Sequence, residues 1–146
     1  MQIVLATDHA GFKHKEALKK HLVDAGYKVK DFGTDSEVSC DYPDFILPAA
    51  KAVSKDPDNT RGIIFGGSGQ GEAMTANRVK NVRATVYYGE TPEIIALSRE
   101  HNNANVLSIG ARFVSVKDTL DIADRWLKLP FPGEERHLRR IRKIDK

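Results

Sequence analysis

Apolar residues in this chain fall in short runs, and between the runs they recur at helical spacing. Gln2–Ala6, Gly62–Phe65 and Val106–Ile109 are compact apolar segments of the kind that makes strands buried on both faces. Tyr27–Phe32 alternates, and Arg83–Tyr88 supplies a further strand. Five strands are therefore predicted. Phe12–Ala25 reads as a helix with Phe12, Leu18, Leu22 and Ala25 inward and its lysines outward, stopped by Gly26. Pro43 can occupy the first turn of a helix to about Ser54, although Pro48 weakens its early part. Glu72–Arg78 continues as a helix that closes near Asn81. Thr91 as N-cap and Pro92 behind it open a helix to about Glu100. Ser115 and Asp118 match a capping box ahead of a helix through Trp126 and Leu127. Pro130-Phe131-Pro132-Gly133 then breaks the chain before a final basic helix at about 134–146.

Strands that alternate with helices at these intervals imply an α/β protein with a parallel sheet covered on both faces. No linker, repeat or low-complexity stretch divides residues 1–146, so a single domain is expected. In such sheets ligands bind beyond the carboxyl ends of the strands, at a switch point in strand order. Three groups of polar residues fall at strand ends: Asp8 and His9 after the first, a glycine loop after the third, and Arg112 after the fifth.

Composition narrows the class. Hydrophobic residues at 40% and charged residues at 29% describe a soluble globular chain. No apolar run reaches membrane-spanning length, and the N-terminus lacks the pattern of a signal peptide. Cys40 is alone, which excludes an intrachain disulfide and a four-cysteine zinc site. These features fit a cytoplasmic protein. The net charge of +3 belongs to the tail: from Glu134 onward there are six Lys/Arg and three Asp/Glu, and the rest holds 17 of each. A nucleic-acid surface is not indicated, because the body is neutral and the tail has no interleaved aromatics.

The densest chemistry lies in Gly66-Gly67-Ser68-Gly69-Gln70-Gly71-Glu72. A strand, a glycine loop and a helix start can bring free N–H groups close to an anion. The loop matches neither a P-loop, since no lysine follows, nor the spacing of a dinucleotide loop. A tight turn would use one or two glycines, and four are present within six residues. Glu72 sets a carboxylate at the mouth of this anion site. Elsewhere two readings stand side by side. Asp8 and His9 suit a helix N-cap beside a surface histidine, or a pair pointing into the site. His101 suits a helix C-terminus with Asn102 in the turn, or a group that moves protons near neutrality. Arg136, Arg140 and Lys143 share one helical face, where like charges repel unless an anion lies between them. A solvated basic helix docked by Leu138 and Ile141 is the other reading.

One inventory joins these pieces: a carboxylate, a backbone anion hole, a histidine and several arginines. Aldose–ketose isomerisation of a sugar phosphate needs that set. The sequence resembles the group formed by ribose-5-phosphate isomerase B and galactose-6-phosphate isomerase. Asp8-His9-Ala10-Gly11, Asp41-Tyr42-Pro43, Gly66–Glu72, Ala76-Asn77, Ser98–Asn102, Asn105-Val106-Leu107, Gly110-Ala111-Arg112 and Arg136–Arg140 carry the resemblance in the family's order, across nearly the whole chain. It implies a Rossmann-like three-layer αβα sandwich with a five-stranded parallel sheet and an extra C-terminal helix. It implies Glu72 as the base and His101 in ring opening. It also implies substrate contacts from Asp8, His9, Gly67, Ser68, Gly69, Gln70, Gly71 and Asn102, with Arg112, Arg136 and Arg140 at the phosphate. A homodimer, with a tetramer as the alternative, would share each site between subunits, with the C-terminal helix on the partner. No metal or organic cofactor is expected. Ribose 5-phosphate is the expected substrate, a six-carbon phosphosugar the alternative, and a non-catalytic nucleotide- or phosphosugar-binding module the rival. One branch of the family uses a cysteine base at the position of Gly66. This chain lacks it, and a raised pKa with partial desolvation is expected for Glu72 instead.

Overall fold

A computed structural model describes residues 1–146. Five strands, β1 (Gln2–Thr7), β2 (Lys28–Asp31), β3 (Thr60–Gly66), β4 (Ala84–Tyr87) and β5 (Val106–Gly110), form one sheet in the order β2-β1-β3-β5-β4. Every neighbouring pair is parallel. Helices α1 (Phe12–Asp24), α2 (Pro43–Lys55), α3 (Gln70–Ala76), α4 (Glu93–Glu100), α5 (Val116–Lys128) and α6 (Glu135–Ile144) alternate with the strands or follow them. The α/β sandwich expected from the pattern is the fold observed. No helix is long and apolar enough to cross a membrane.

Successive strand residues point to opposite faces, and each face has its own core. Ile3, Leu5, Ile63, Phe65, Leu107 and Ile109 meet Leu18 and Leu22 of α1, Ile95 of α4 and Trp126 of α5. Val4, Ala6, Ile64 and Val106 meet Ile46, Ala49, Ala50 and Val53 of α2 and Ala76 of α3. This explains the two kinds of strand in the sequence. β1, β3 and β5 are interior and read as continuous apolar runs. β2 and β4 are edges, half-buried, and read as weaker patterns. Burying one such leucine or isoleucine contributes roughly 1.5–3 kcal/mol.

The structure corrects some local expectations. Lys15 of α1 is fully buried rather than outward, because its ammonium pairs with Asp31 at 2.6 Å and with Glu16. Ala25 is exposed and forms the C-cap, while Gly26 takes φ +86° as a helix stop. Helix α3 begins at Gln70, two residues before Glu72. Thr91 is not a side-chain cap: Pro92 is the N-cap residue, and the Thr91 amide closes a turn onto the Gly89 carbonyl. Leu138 is only half-buried; His137 and Ile141 dock α6. The Ser115 cap holds, with its hydroxyl accepting from the Asp118 amide. Gly26 apart, the positive φ that matters most is +78° at Gly69, the N-cap of α3.

Candidate active site

The strand order reverses between β1 and β3, and the crevice beyond their carboxyl ends holds the first half of the site. Parallel pairing ends at Thr7 opposite Phe65, so Asp8 and the glycine loop emerge side by side. Asp8 caps a short 3-10 turn at His9–Gly11 through its Oδ1, which accepts from the Ala10 amide at 2.9 Å. The cap reading of Asp8 is therefore correct. Asp8 also stands beside the glycine loop, and its charge bears on Glu72. His9 sits with Nδ1 3.9 Å from Asp8 Oδ2 and accepts from the Cys40 amide at 3.4 Å. The half-buried Cys40 thus lies near the first loop through its backbone.

Gly67, Ser68 and Gly69 form the turn from β3 to α3. The amides of Gly67, Ser68, Gly69 and Gly71 donate to no backbone carbonyl of the chain, which is the condition for an anion hole. The turn is braced from behind. Ser108 donates to the Gly69 carbonyl at 2.6 Å, and the Ala111 and Arg112 amides donate to the Gly66 and Gly67 carbonyls at 2.9 and 3.1 Å. Gln70 is exposed, with its amide 3.3 Å from the Ser68 hydroxyl. Arg112 is exposed and returns over the loop: a Cβ on Gly67 would sit 3.2 Å from its guanidinium. A Cβ on Gly71 would sit 2.7 Å from the Tyr42 ring, so Tyr42 borders the site. Asn77 does not face it; its amide side chain clamps the backbone of Ala84.

Glu72 is 4% exposed. A Cβ at Gly66 would fall inside the van der Waals shell of its carboxylate. The glutamate therefore occupies the space that a side chain at position 66 would fill. Burial pushes its pKa above the ordinary glutamate value. Its own backbone N–H opposes that shift, and the Asp8 charge adds to it. A carboxylate held this way is a stronger base than one in water.

His101, Asn102, Arg136 and Arg140 lie elsewhere. In a parallel sandwich α4 runs back along the sheet, so its C-terminus stands at the amino end of β5. There His101 caps α4, and Arg83 donates to the Asn103 carbonyl at 3.0 Å. The end of α6 is pinned at the same edge, where Arg83 pairs with Asp145 at 2.6 Å. A cavity of about 470 Å³ opens beside Asn102, Arg83 and Lys146, and no glycine-loop residue lines it. Arg136 and Arg140 are exposed; Arg136 Nε donates to Glu134 at 2.8 Å. The structure thus brings Asp8, His9, Gly67–Gly71, Glu72 and Arg112 together. It sets His101, Asn102, Arg136 and Arg140 at the opposite end of the same chain.

The sequence leaves open whether Tyr42 and Asn77 face the site and assigns no role to His137. Tyr42 carries a signal in Asp41-Tyr42-Pro43, one of the segments of the family resemblance. His137 carries none beyond its place in the basic run.

Fold and site define a Rossmann-like α/β protein with a backbone anion hole facing a buried carboxylate. Comparison with known proteins narrows this. A sequence model described as ribose/galactose isomerase matches residues 3–144. The chain belongs to that family. Ribose-5-phosphate isomerase B of Mycolicibacterium paratuberculosis is 39% identical over 142 residues, 97% of this chain and 87% of the relative. A structure of ribose-5-phosphate isomerase B from Clostridium thermocellum has TM-score 0.92 at 42% identity, covering 99% of this chain and 95% of that one. The Mycoplasma genitalium ribose-5-phosphate isomerase B, solved with bound ribulose 5-phosphate, also has TM-score 0.92, at 39% identity, with coverage of 99% and 93%.

Proposed function

We propose that this chain interconverts ribose 5-phosphate and ribulose 5-phosphate through an enediolate. The observation that carries the reading is the buried Glu72 carboxylate seated on Gly66, next to the free amides of Gly67, Ser68, Gly69 and Gly71. Glu72 takes the proton from C2 of the open-chain aldose. The electron pair moves into the C1–C2 bond, and charge develops on O1, where the loop amides stabilise it. The proton returns at C1, and the O2 proton passes to O1, leaving the ketose. All protons stay within the substrate and its base, so no metal or organic cofactor enters the proposal. The Mycoplasma genitalium relative with bound ribulose 5-phosphate supports this choice of substrate.

The second half of the site comes, in this proposal, from a second copy of the chain. A homodimer would set the partner's His101, Asn102, Arg136 and Arg140 against Glu72, with α6 crossing onto the other subunit and residues 1–146 acting as one domain. His101 then helps open the sugar ring, Asn102 contacts hydroxyls, and the arginines hold the phosphate with Arg112. A charged phosphosugar does not cross a bilayer unaided, which favours a cytoplasmic place of action. The family's description includes galactose, so a six-carbon phosphosugar is the second reading.

The test is turnover of ribose 5-phosphate, allose 6-phosphate and galactose 6-phosphate by the purified protein, with Glu72→Gln alongside. Conversion of ribose 5-phosphate by the wild type and loss in a folded Glu72→Gln variant is expected. Turnover of six-carbon substrates alone would keep the base and change the substrate. Turnover of none would favour a binding module.

A further inference from the structure

His137 is the more deeply buried of the two side chains that dock α6, at 4% exposure. Neither of its ring nitrogens has a hydrogen-bond partner. A neutral imidazole always carries one N–H, and leaving it unpaired in a buried place is unfavourable. The ring therefore works through its faces and not through its nitrogens. One face lies on His101, with ring centroids 4.4 Å apart and planes at 15°. We propose that His137 is a positioning residue for the isomerase reaction, its ring acting as the plate that fixes the orientation of the His101 imidazole. This rests on the assignment of His101 to ring opening.

The charges around the pair suit that role. Two imidazolium rings face to face would repel, so a neutral His137 suits the stack. Burial holds His137 below the usual histidine range, and the facing His101 adds to this. Arg136 and Arg140 act in the same direction, while Glu134, 3.9 Å from Nε2, opposes them. These influences together favour the neutral ring of His137.

The test compares His137→Ala, which removes the plate, with His137→Phe, which keeps a flat ring without nitrogens. Steady-state kinetics with ribose 5-phosphate is read beside the ring-current shift of the His101 signals by NMR. His137→Ala should lower kcat by about tenfold or more, with KM within about twofold, because the reacting group is misplaced and not the phosphate. His137→Phe should restore kcat to within about threefold and keep the His101 shift. A raised KM at unchanged kcat in His137→Ala would mean that His137 only docks α6, and the proposal falls. Equal loss in His137→Phe would assign the role to the nitrogens, and the proposal also falls. His101→Asn is run in parallel. If it is fully active, the role of His101 fails and takes this proposal with it. If it is inactive while His137→Ala turns over like wild type, only the positioning role is lost.

Discussion

The two ends of the sheet are built in opposite ways. At the carboxyl end the site is made of backbone: a turn with one residue at positive φ, four unpaired amides, and a glutamate folded into the space above a glycine. The turn is braced by Ser108 of β5 and by Ala111 and Arg112 just beyond it. At the amino end the corresponding groups are side chains on helix ends. Arg136 and Arg140 are exposed on α6, and His101 is held by the face of another ring. The first half lies within one chain, and the arginines of the second are exposed, as the proposed dimer requires. The contrast suits what each half does in the proposed reaction. An enediolate needs donors fixed before charge develops, whereas a phosphate can be gripped by long flexible cations.

The contrast breaks most decisively if both halves can be satisfied in one chain. Glu72→Gln and His101→Asn should each lower kcat by about a thousandfold, the scale of losing a general acid or base. Mixing the two inactive variants under conditions that exchange subunits should restore activity. With random pairing half of the dimers are mixed, and each mixed dimer has one intact site of two, so about a quarter of wild-type activity is expected. Measured turnover of the mixture that stays at the sum of the two variants would show that the halves do not meet across an interface.

The next test sharpens the first half. Gly66→Ala puts a methyl where the Glu72 carboxylate lies. The carboxylate is the free end of a side chain and can swing away, so the melting temperature should hardly change. The base is displaced, however, and kcat should fall about a hundredfold, the effect expected of a misplacement near 1 Å. Loss of stability in proportion to activity would mean that Gly66 serves packing and not the site.

The same contrast governs what could be read from the chain. The carboxyl-end half is local in sequence: a buried strand, its glycines and Glu72 lie within eleven residues from Gly62. The alternation of strands and helices makes the fold class legible, and that compactness makes the glycine loop legible as a turn with free amides. What escaped depended on partners far along the chain. The burial of Lys15 needs Asp31, sixteen positions away, to receive its charge. The start of α3 at Gln70 was hidden because glycines are poor helix formers, and only the Ser108 brace on Gly69 reveals the turn before it. His137 read as one more member of a basic run, since its meeting with His101 depends on how α6 folds back. The division into two ends is a property of topology, invisible in any motif.

A smaller effect tests the second half. Arg140→Ala should raise KM about tenfold with kcat kept, as expected when a charged contact serves the ground and transition states alike. Arg136→Ala should cost less, because the Nε of Arg136 is already committed to Glu134. Initial rates over a range of ribose 5-phosphate concentration decide this. A fall in kcat at constant KM would place Arg140 at the reacting atoms instead.

The smallest effect concerns what Glu72 costs the fold. Its raised pKa means that the folded protein binds the proton more tightly than the unfolded chain does. The sign follows from linkage. Below the unfolded value both states are protonated, and there is no penalty. As pH rises through the unfolded value and then the folded one, the buried charge destabilises the fold, fully so above the folded pKa. Glu72→Gln should therefore melt a few degrees higher than wild type at neutral pH, and the difference should vanish once pH falls below the ordinary glutamate range. Asp31 supplies the opposite case. Although burial alone would raise its pKa, hydrogen bonds from Lys15, the Gly33 amide and Lys19 bring it below the usual carboxylate value. Its contribution is present above the unfolded pKa and is lost as pH falls through the folded one, so Asp31→Asn should lower the melting temperature at neutral pH. Calorimetric melting of both variants against pH would give two curves of opposite sign. If Glu72→Gln proved less stable than wild type at neutral pH, the carboxylate would be a structural member of the loop, and the division between a strained reactive end and a stabilising ion pair would not hold.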